Sequence, residues 1–184
     1  DETSRGLGDV YKRQIQIVEN FAFSVNFPES ITVYTSRVEF EGVEGAEAQH
    51  EGIDYINNDR DATDVPIYTI GSGTVVYART GCVSSSQFAS NTLQRECGAG
   101  WGNHLVIQHS RSVFSRYAHL RTDGVLKAVG EQVEKNEIIG IMGNSGRSDM
   151  RHLHLEIGKS VTPFRSCASS QSFESVTDPG RFGL

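Results

Sequence analysis

Near the end of the chain, the run Arg151-His152-Leu153-His154-Leu155-Glu156 sets two histidines two positions apart in an apolar, β-prone setting. On a strand such residues share one face, with Cα atoms about 6.6–7 Å apart. Two imidazoles presented side by side from a rigid element supply half of a metal site. Upstream, His50-Glu51-Gly52-Ile53-Asp54 offers a histidine and a carboxylate, and Tyr117-Ala118-His119-Leu120 offers a further histidine. These ligand or acid–base groups, gathered in three short motifs, point to the chemistry of a zinc hydrolase.

Zinc takes N, S or O donors, usually three from protein at a catalytic site with one position left open. His50 and Asp54 would lie about 13 Å apart on one extended strand, so the segment must bend for both to reach one ion. Gly52 between them permits a bend at little steric cost. The third donor should come from the double-histidine strand. The chain contains no His-Glu-x-x-His, so the glutamate base of the helical zinc peptidases is missing. Histidines must then move the proton and stabilise the developing charge. Glu156 shares a face with His152 and His154, where it either orients one of them or stands as an exposed carboxylate. His104 and His109 read as structural, with a supporting role at the site as the alternative for His109. The acidic stretch Asn57 to Asp64 reads as a solvated turn rather than a calcium loop.

These residues need strands to carry them. The chain has 184 residues, enough for one domain with a core, and its 19 glycines with 37% hydrophobic residues favour a mainly β fold over a helical bundle. Alternating runs at 15–18, 21–25, 31–34, 67–78, 104–109 and 113–119 read as strands, with Gly71-Ser72-Gly73 as a hairpin turn. A glycine-rich strand pair follows from Gly124 to Gly143, turning at Glu134-Lys135-Asn136-Glu137. Short strands between polar turns predict antiparallel sheet. Ser166 to Ser175 reads as a loop.

Residues 1–14 show no strand alternation, and Gly6 to Gln14 reads as translated adapter sequence, so they are set aside as non-native. Residues 15–47 are expected as N-terminal strands leading into a domain at 48–184. A net charge of −6 argues against nucleic acid and against an anionic membrane surface. No apolar run reaches the roughly 18–20 residues of a membrane span. Cys82 and Cys97 bracket a Ser/Gly/Asn-rich segment and are expected to pair, leaving Cys167 over.

Taken together the motifs are recognisable. His-x-Gly-x-Asp at 50–54, Tyr-Ala-His-Leu at 117–120 and His-Leu-His at 152–154 resemble the lysostaphin- and LytM-type zinc metallopeptidases. The likeness extends through Pro66-Ile67-Tyr68, Gly73-Thr74-Val75-Val76, Val129-Gly130-Glu131-Gln132-Val133, Met142-Gly143-Asn144-Ser145-Gly146-Arg147 and Thr177-Asp178-Pro179, about residues 48–180. The resemblance implies an antiparallel LytM-type sheet groove. It implies zinc held by His50, Asp54 and His154, with His119 and His152 as the catalytic pair. It also implies cleavage of peptide bonds in bacterial peptidoglycan, by a protein that works outside the cell or in the periplasm. A monomer is expected. The chain departs from the family in the longer insertion carrying Cys82 and Cys97, and in the acidic segment Glu41 to Glu47.

Two other readings compete. A family member that binds the wall or activates another hydrolase would have lost ligands, whereas all these positions are filled. A lipoyl- or biotinyl-type carrier domain would place a lysine at a tight turn. Lys135 lacks the flanking pattern, and the histidines would go unexplained.

Overall fold

The computed structural model describes residues 34–38, 41–42, 48–165, 168–182 and 184. The expected strands at 15–18 and 21–25, most of that at 31–34, the segment 1–14 and Cys167 lie outside these. In chain order the strands are β1 (Tyr34–Val38), β2 (Glu41–Gly42), β3 (Ala48–His50), β4 (Gly52–Asn57), β5 (Pro66–Tyr68) and β6 (Gly73–Arg79). They continue with β7 (Asn103–Gln108), β8 (Val113–Val125), β9 (Gln132–Val133), β10 (Ile138–Met142), β11 (Leu153–Lys159) and β12 (Ser175–Thr177). Helix is confined to single 3₁₀ turns at Cys97–Gly100 and Pro179–Phe182 among the described residues. No helix there is long and apolar enough to cross a membrane.

Period-two alternation decides which face each side chain takes. Leu153, Leu155 and Ile157 on β11 pack into one core with Leu105 and Ile107 of β7, and Val113 and Tyr117 of β8. Ile67, Val75, Ile139 and Met142 close that core. The opposite face of the same strands carries Val106, Phe114 and Tyr77, packed with Phe173 and Val176 into a smaller cluster. His154 and Glu156 alternate with the core leucines of β11, so they fall on this second face.

Antiparallel pairing then sets the neighbours. Among the described residues the main sheet runs β1-β4-β11-β8-β7-β6-β9, with β10 pairing β5 and β8, and β12 pairing β11. β11 lies between β4 and β8. One cross-strand row is Asp54, His154, Ala118, and the next is Gly52, Glu156, Arg116. A Cβ on Gly52 would come within 2.1 Å of the Leu155 carbonyl oxygen, so the approach of β11 to β4 requires glycine there.

Two expectations change. Gly52 is not a hinge: it opens β4, and the chain changes pairing partner at Glu51, between β3 (on β2) and β4 (on β1 and β11). Its lack of a side chain serves close strand contact rather than bending. Gly71-Ser72-Gly73 is a connection but not a hairpin turn. β5 pairs β10, and β6 pairs β7 and β9, because Thr69 N–H donates to Glu137 O at 3.0 Å and its carbonyl accepts from Asn136 N–H at 2.9 Å.

The Sγ atoms of Cys82 and Cys97 lie 2.10 Å apart. The acidic stretch at 57–64 folds on itself, with Asp59 N–H on Asn57 Oδ1 at 2.8 Å and Asp61 N–H on Asp59 Oδ1 at 2.9 Å. Buried Arg151 ties it down by donating to the carbonyls of Ala62, Asp59 and Arg60.

Candidate active site

Four strands and the residue leading into one of them deliver the five side chains singled out in the sequence. His50 ends β3, Asp54 is on β4, His154 on β11, His119 on β8, and His152 immediately precedes β11. All five line one groove of about 670 Å³. Asp54 is its hub. Asp54 Oδ1 lies 2.8 Å from His154 Nδ1 and 3.2 Å from His50 Nε2, and Oδ2 lies 3.5 Å from His152 Nε2. The His119 and His152 rings face each other at 4.5 Å between centroids.

Hydrogen bonds fix which nitrogen each ring shows to the groove. His119 Nδ1 donates to Ser145 O at 2.7 Å, and His152 Nδ1 donates to Met150 O at 2.8 Å. Each ring therefore turns Nε2 inward, and in its neutral form that atom carries a lone pair. His154 is held the other way round. Its Nε2 donates to Glu156 Oε1 at 2.9 Å, which leaves Nδ1 facing Asp54.

His119 adopts a left-handed conformation, with φ of 60°. Non-glycine residues rarely do so, and here the surroundings hold it. Its N–H donates to Trp101 O at 2.9 Å, and its carbonyl accepts from Gly143 N–H at 3.0 Å. The run at 143–147 packs against the 100–102 loop. Gly146 has φ of 74°, and a Cβ there would meet Gly100 O at 2.2 Å.

Electrostatics separate the histidines. Burial pushes His119 well below the ordinary imidazole value, and nearby His152 and His154 push it further. His152 is also lowered, mainly by burial, against the pull of Asp54. For His154 burial acts downward too, but hydrogen bonds to Asp54 and Glu156 outweigh it and lift the ring to about 9. Without a metal it is an imidazolium bridging two carboxylates. Burial raises Asp54, but its bonds to His154 and His50 prevail and hold it well below the usual carboxylate range.

Behind the five lies a second layer, of which Glu156 is read from the sequence but Arg116 and Trp101 are not. Glu156 is fully buried, and Arg116 Nη1 donates to its Oε2 at 2.9 Å. Trp101 Nε1 donates to Oε1 at 2.5 Å. Burial favours the neutral acid, yet the Arg116 charge and the His154 bond hold Glu156 at about 2. The reading of Glu156 as an acceptor for one of the two histidines fits this geometry, and His154 is the one it holds. Nothing in the spacing links Trp101 to a glutamate 55 residues on. Arg116 carries one usable signal: it sits two residues before Ala118 on an alternating strand.

The remaining histidines stand apart from the cluster. His104 Nδ1 donates to Gly102 O at 2.9 Å, its ring stacks on Tyr77, and burial drops it to about 3. His109 bonds Ser72 O and Ser115 Oγ, in a network reaching Tyr117. Burial lowers it to about 4.

The donor set fits zinc. The ligand atoms of His50, Asp54 and His154 lie within 4.8 Å of one another. Tetrahedral coordination at ordinary zinc bond lengths sets donors about 3.3 Å apart, close to the 3.2 and 2.8 Å found on Asp54 Oδ1.

An antiparallel sheet that gathers two imidazoles and a carboxylate in an open groove, beside two histidines of fixed tautomer, has the architecture of a metallopeptidase. The chain belongs to Peptidase family M23, which matches residues 48–165. It is 30% identical over 154 residues to the peptidoglycan DD-endopeptidase ShyA of Vibrio cholerae, covering 82% of this chain and 28% of that protein's length. Its fold is similar to the catalytic domain of the prophage-encoded M23 protein EnpA from Enterococcus faecalis. That match has a TM-score of 0.56 at 20% identity, over 87% of this chain and 97% of the other. It is also similar to a zinc-containing peptidase from Vibrio cholerae, with a TM-score of 0.52 at 23% identity, over 78% of this chain and 38% of the other.

Proposed function

We propose that the protein is a zinc-dependent endopeptidase that hydrolyses peptide bonds in bacterial peptidoglycan, outside the cell or in the periplasm, as a monomer. The observation that carries the reading is the convergence on one groove of three donors and two histidines that both turn Nε2 inward. Similarity to ShyA supports the substrate class, and the zinc-containing neighbour supports the metal. The ligands in this reading are His50 Nε2, an Asp54 oxygen and His154 Nδ1.

Bound zinc would supply Lewis acidity, polarising a substrate carbonyl and easing loss of a proton from water. The chain's own residues handle the rest. His152 Nε2 accepts a proton, because its Nδ1 proton is committed to Met150 O. Asp54 Oδ2, 3.5 Å away, stabilises the imidazolium that results. That proton can then pass from Nε2 to the leaving nitrogen. His119 Nε2, its lone pair turned to the groove by the Nδ1 bond to Ser145 O, is a second proton acceptor beside His152, and once protonated it can donate to the developing charge on the carbonyl oxygen.

Mass spectrometry of defined muropeptides incubated with the zinc-loaded protein tests this. Fragments from a single class of cleaved peptide bond are expected. Intact muropeptides with retained binding would favour the wall-binding module instead.

A further inference from the structure

We propose that Trp101, together with Arg116, is a positioning residue for the zinc ligand His154, acting through Glu156. The inference rests on the zinc reading above and adds the parts that hold one ligand in place.

Glu156 receives three donors. Oε1 accepts from both His154 Nε2 and Trp101 Nε1, and Oε2 accepts from Arg116 Nη1. A carboxylate bonded on both oxygens has one orientation, so the proton of His154 is kept on Nε2 and its Nδ1 is kept on the Asp54 side. Trp101 shares the very oxygen that holds the histidine.

The tryptophan is itself fixed. The Arg116 guanidinium carbon lies 3.7 Å from the ring centroid, a cation–π contact in a buried setting. Phe173 takes the same cation at 4.8 Å. The main chain of Trp101 follows the Cys97–Gly100 turn, where Trp101 N–H donates to Gly98 O and Gly102 N–H to Cys97 O. Its own carbonyl accepts the N–H of His119. One residue just after the disulfide-bearing loop thus contacts the support of a ligand with its indole and a histidine of the catalytic pair with its backbone.

A buried Arg–Glu pair alone could serve folding and nothing else. The indole bond separates the two roles. Trp101→Phe keeps an aromatic ring for Arg116 and the backbone bond to His119, and removes the donor to Oε1 along with the bulk of the second ring. Glu156→Gln, the second variant, keeps the shape and disturbs the acceptor.

The measurement is zinc affinity by competition with a chromogenic chelator, read beside the thermal midpoint of the metal-free proteins. Nuclear magnetic resonance adds the Trp101 indole proton and the His154 Nε2 proton. Zinc affinity should fall about 10-fold in Trp101→Phe and about 10–100-fold in Glu156→Gln. The metal-free midpoint of Trp101→Phe should stay close to that of the parent. In the metal-free parent the indole proton should be protected from exchange, and Glu156→Gln should remove that protection. In the zinc-loaded protein, Trp101→Phe should speed exchange of the His154 Nε2 proton. If the parent takes up zinc and both variants bind it as tightly, the positioning role is wrong and the zinc reading stands. If the parent takes up no zinc, both fall, even with the indole proton protected.

Discussion

His154 stands directly opposite Asp54 in the β4–β11 register, with Nδ1 2.8 Å from the aspartate and Nε2 2.9 Å from Glu156. His152, two residues earlier, hangs instead from the carbonyl of Met150. Two histidines that look alike in sequence thereby turn different nitrogens to the groove.

Zinc uptake should release a proton. His154 is raised to about 9, so at neutral pH the metal-free ring carries a proton on Nδ1 that a metal must displace. Zinc affinity should rise with pH up to about 9 and then flatten, and calorimetry in buffers of different ionisation enthalpy should count about one proton released at pH 7. The same shift has a sign for metal-free stability. A raised folded value contributes fully below the unfolded value of about 6.5, and the contribution is lost as pH rises through about 9. No proton release at pH 7 would contradict the imidazolium bridge.

Activity should persist to lower pH than an exposed histidine allows. Burial lowers both His119 and His152, so each remains a proton acceptor below about 6.5. The acid limb of kcat should therefore lie below that value, and a limb above it would argue against a buried histidine base.

The spacing of the motifs carried the choice of side chains well but not their division of labour. Alternation puts His154 and Glu156 on one face and Leu153 and Leu155 on the other, and that much is local. Which histidine meets Asp54 depends on register between strands 100 residues apart, which no local period encodes. The left-handed backbone of His119 is likewise imposed by Trp101 O and Gly143 N–H, both distant in sequence. Gly52 was visible as a special position for the wrong reason: a neighbouring strand, not a bend, excludes its side chain.

Gly52→Ala should therefore act through packing. Its Cβ would sit 2.1 Å from Leu155 O and 3.2 Å from Glu156 Cγ, so β4 and β11 must separate. Urea unfolding should show a loss of about 1–3 kcal/mol or more, with weaker zinc binding. Unchanged stability and affinity would mean that the strands yield without cost.

Cys82 and Cys97 are expected to be joined in the protein as it works, which fits their sulfur positions. Thiol labelling of the denatured, unreduced chain should find one reactive cysteine, Cys167. Breaking a ring of this size should cost about 3 kcal/mol in the chain-entropy view. Labelling of all three cysteines would refute the bridge.

The most direct test of the account measures zinc per chain and muropeptide hydrolysis together, in the parent and in His119→Ala, His152→Ala and His154→Ala. The parent should hold one zinc. His119→Ala and His152→Ala should keep the metal and lose hydrolysis by roughly 10²–10⁴-fold, the worth of general acid–base help. His154→Ala should lose metal and activity together. Zinc lost from His119→Ala but kept by His154→Ala would contradict the assignment of roles, and full activity in both catalytic variants would contradict the enzyme itself.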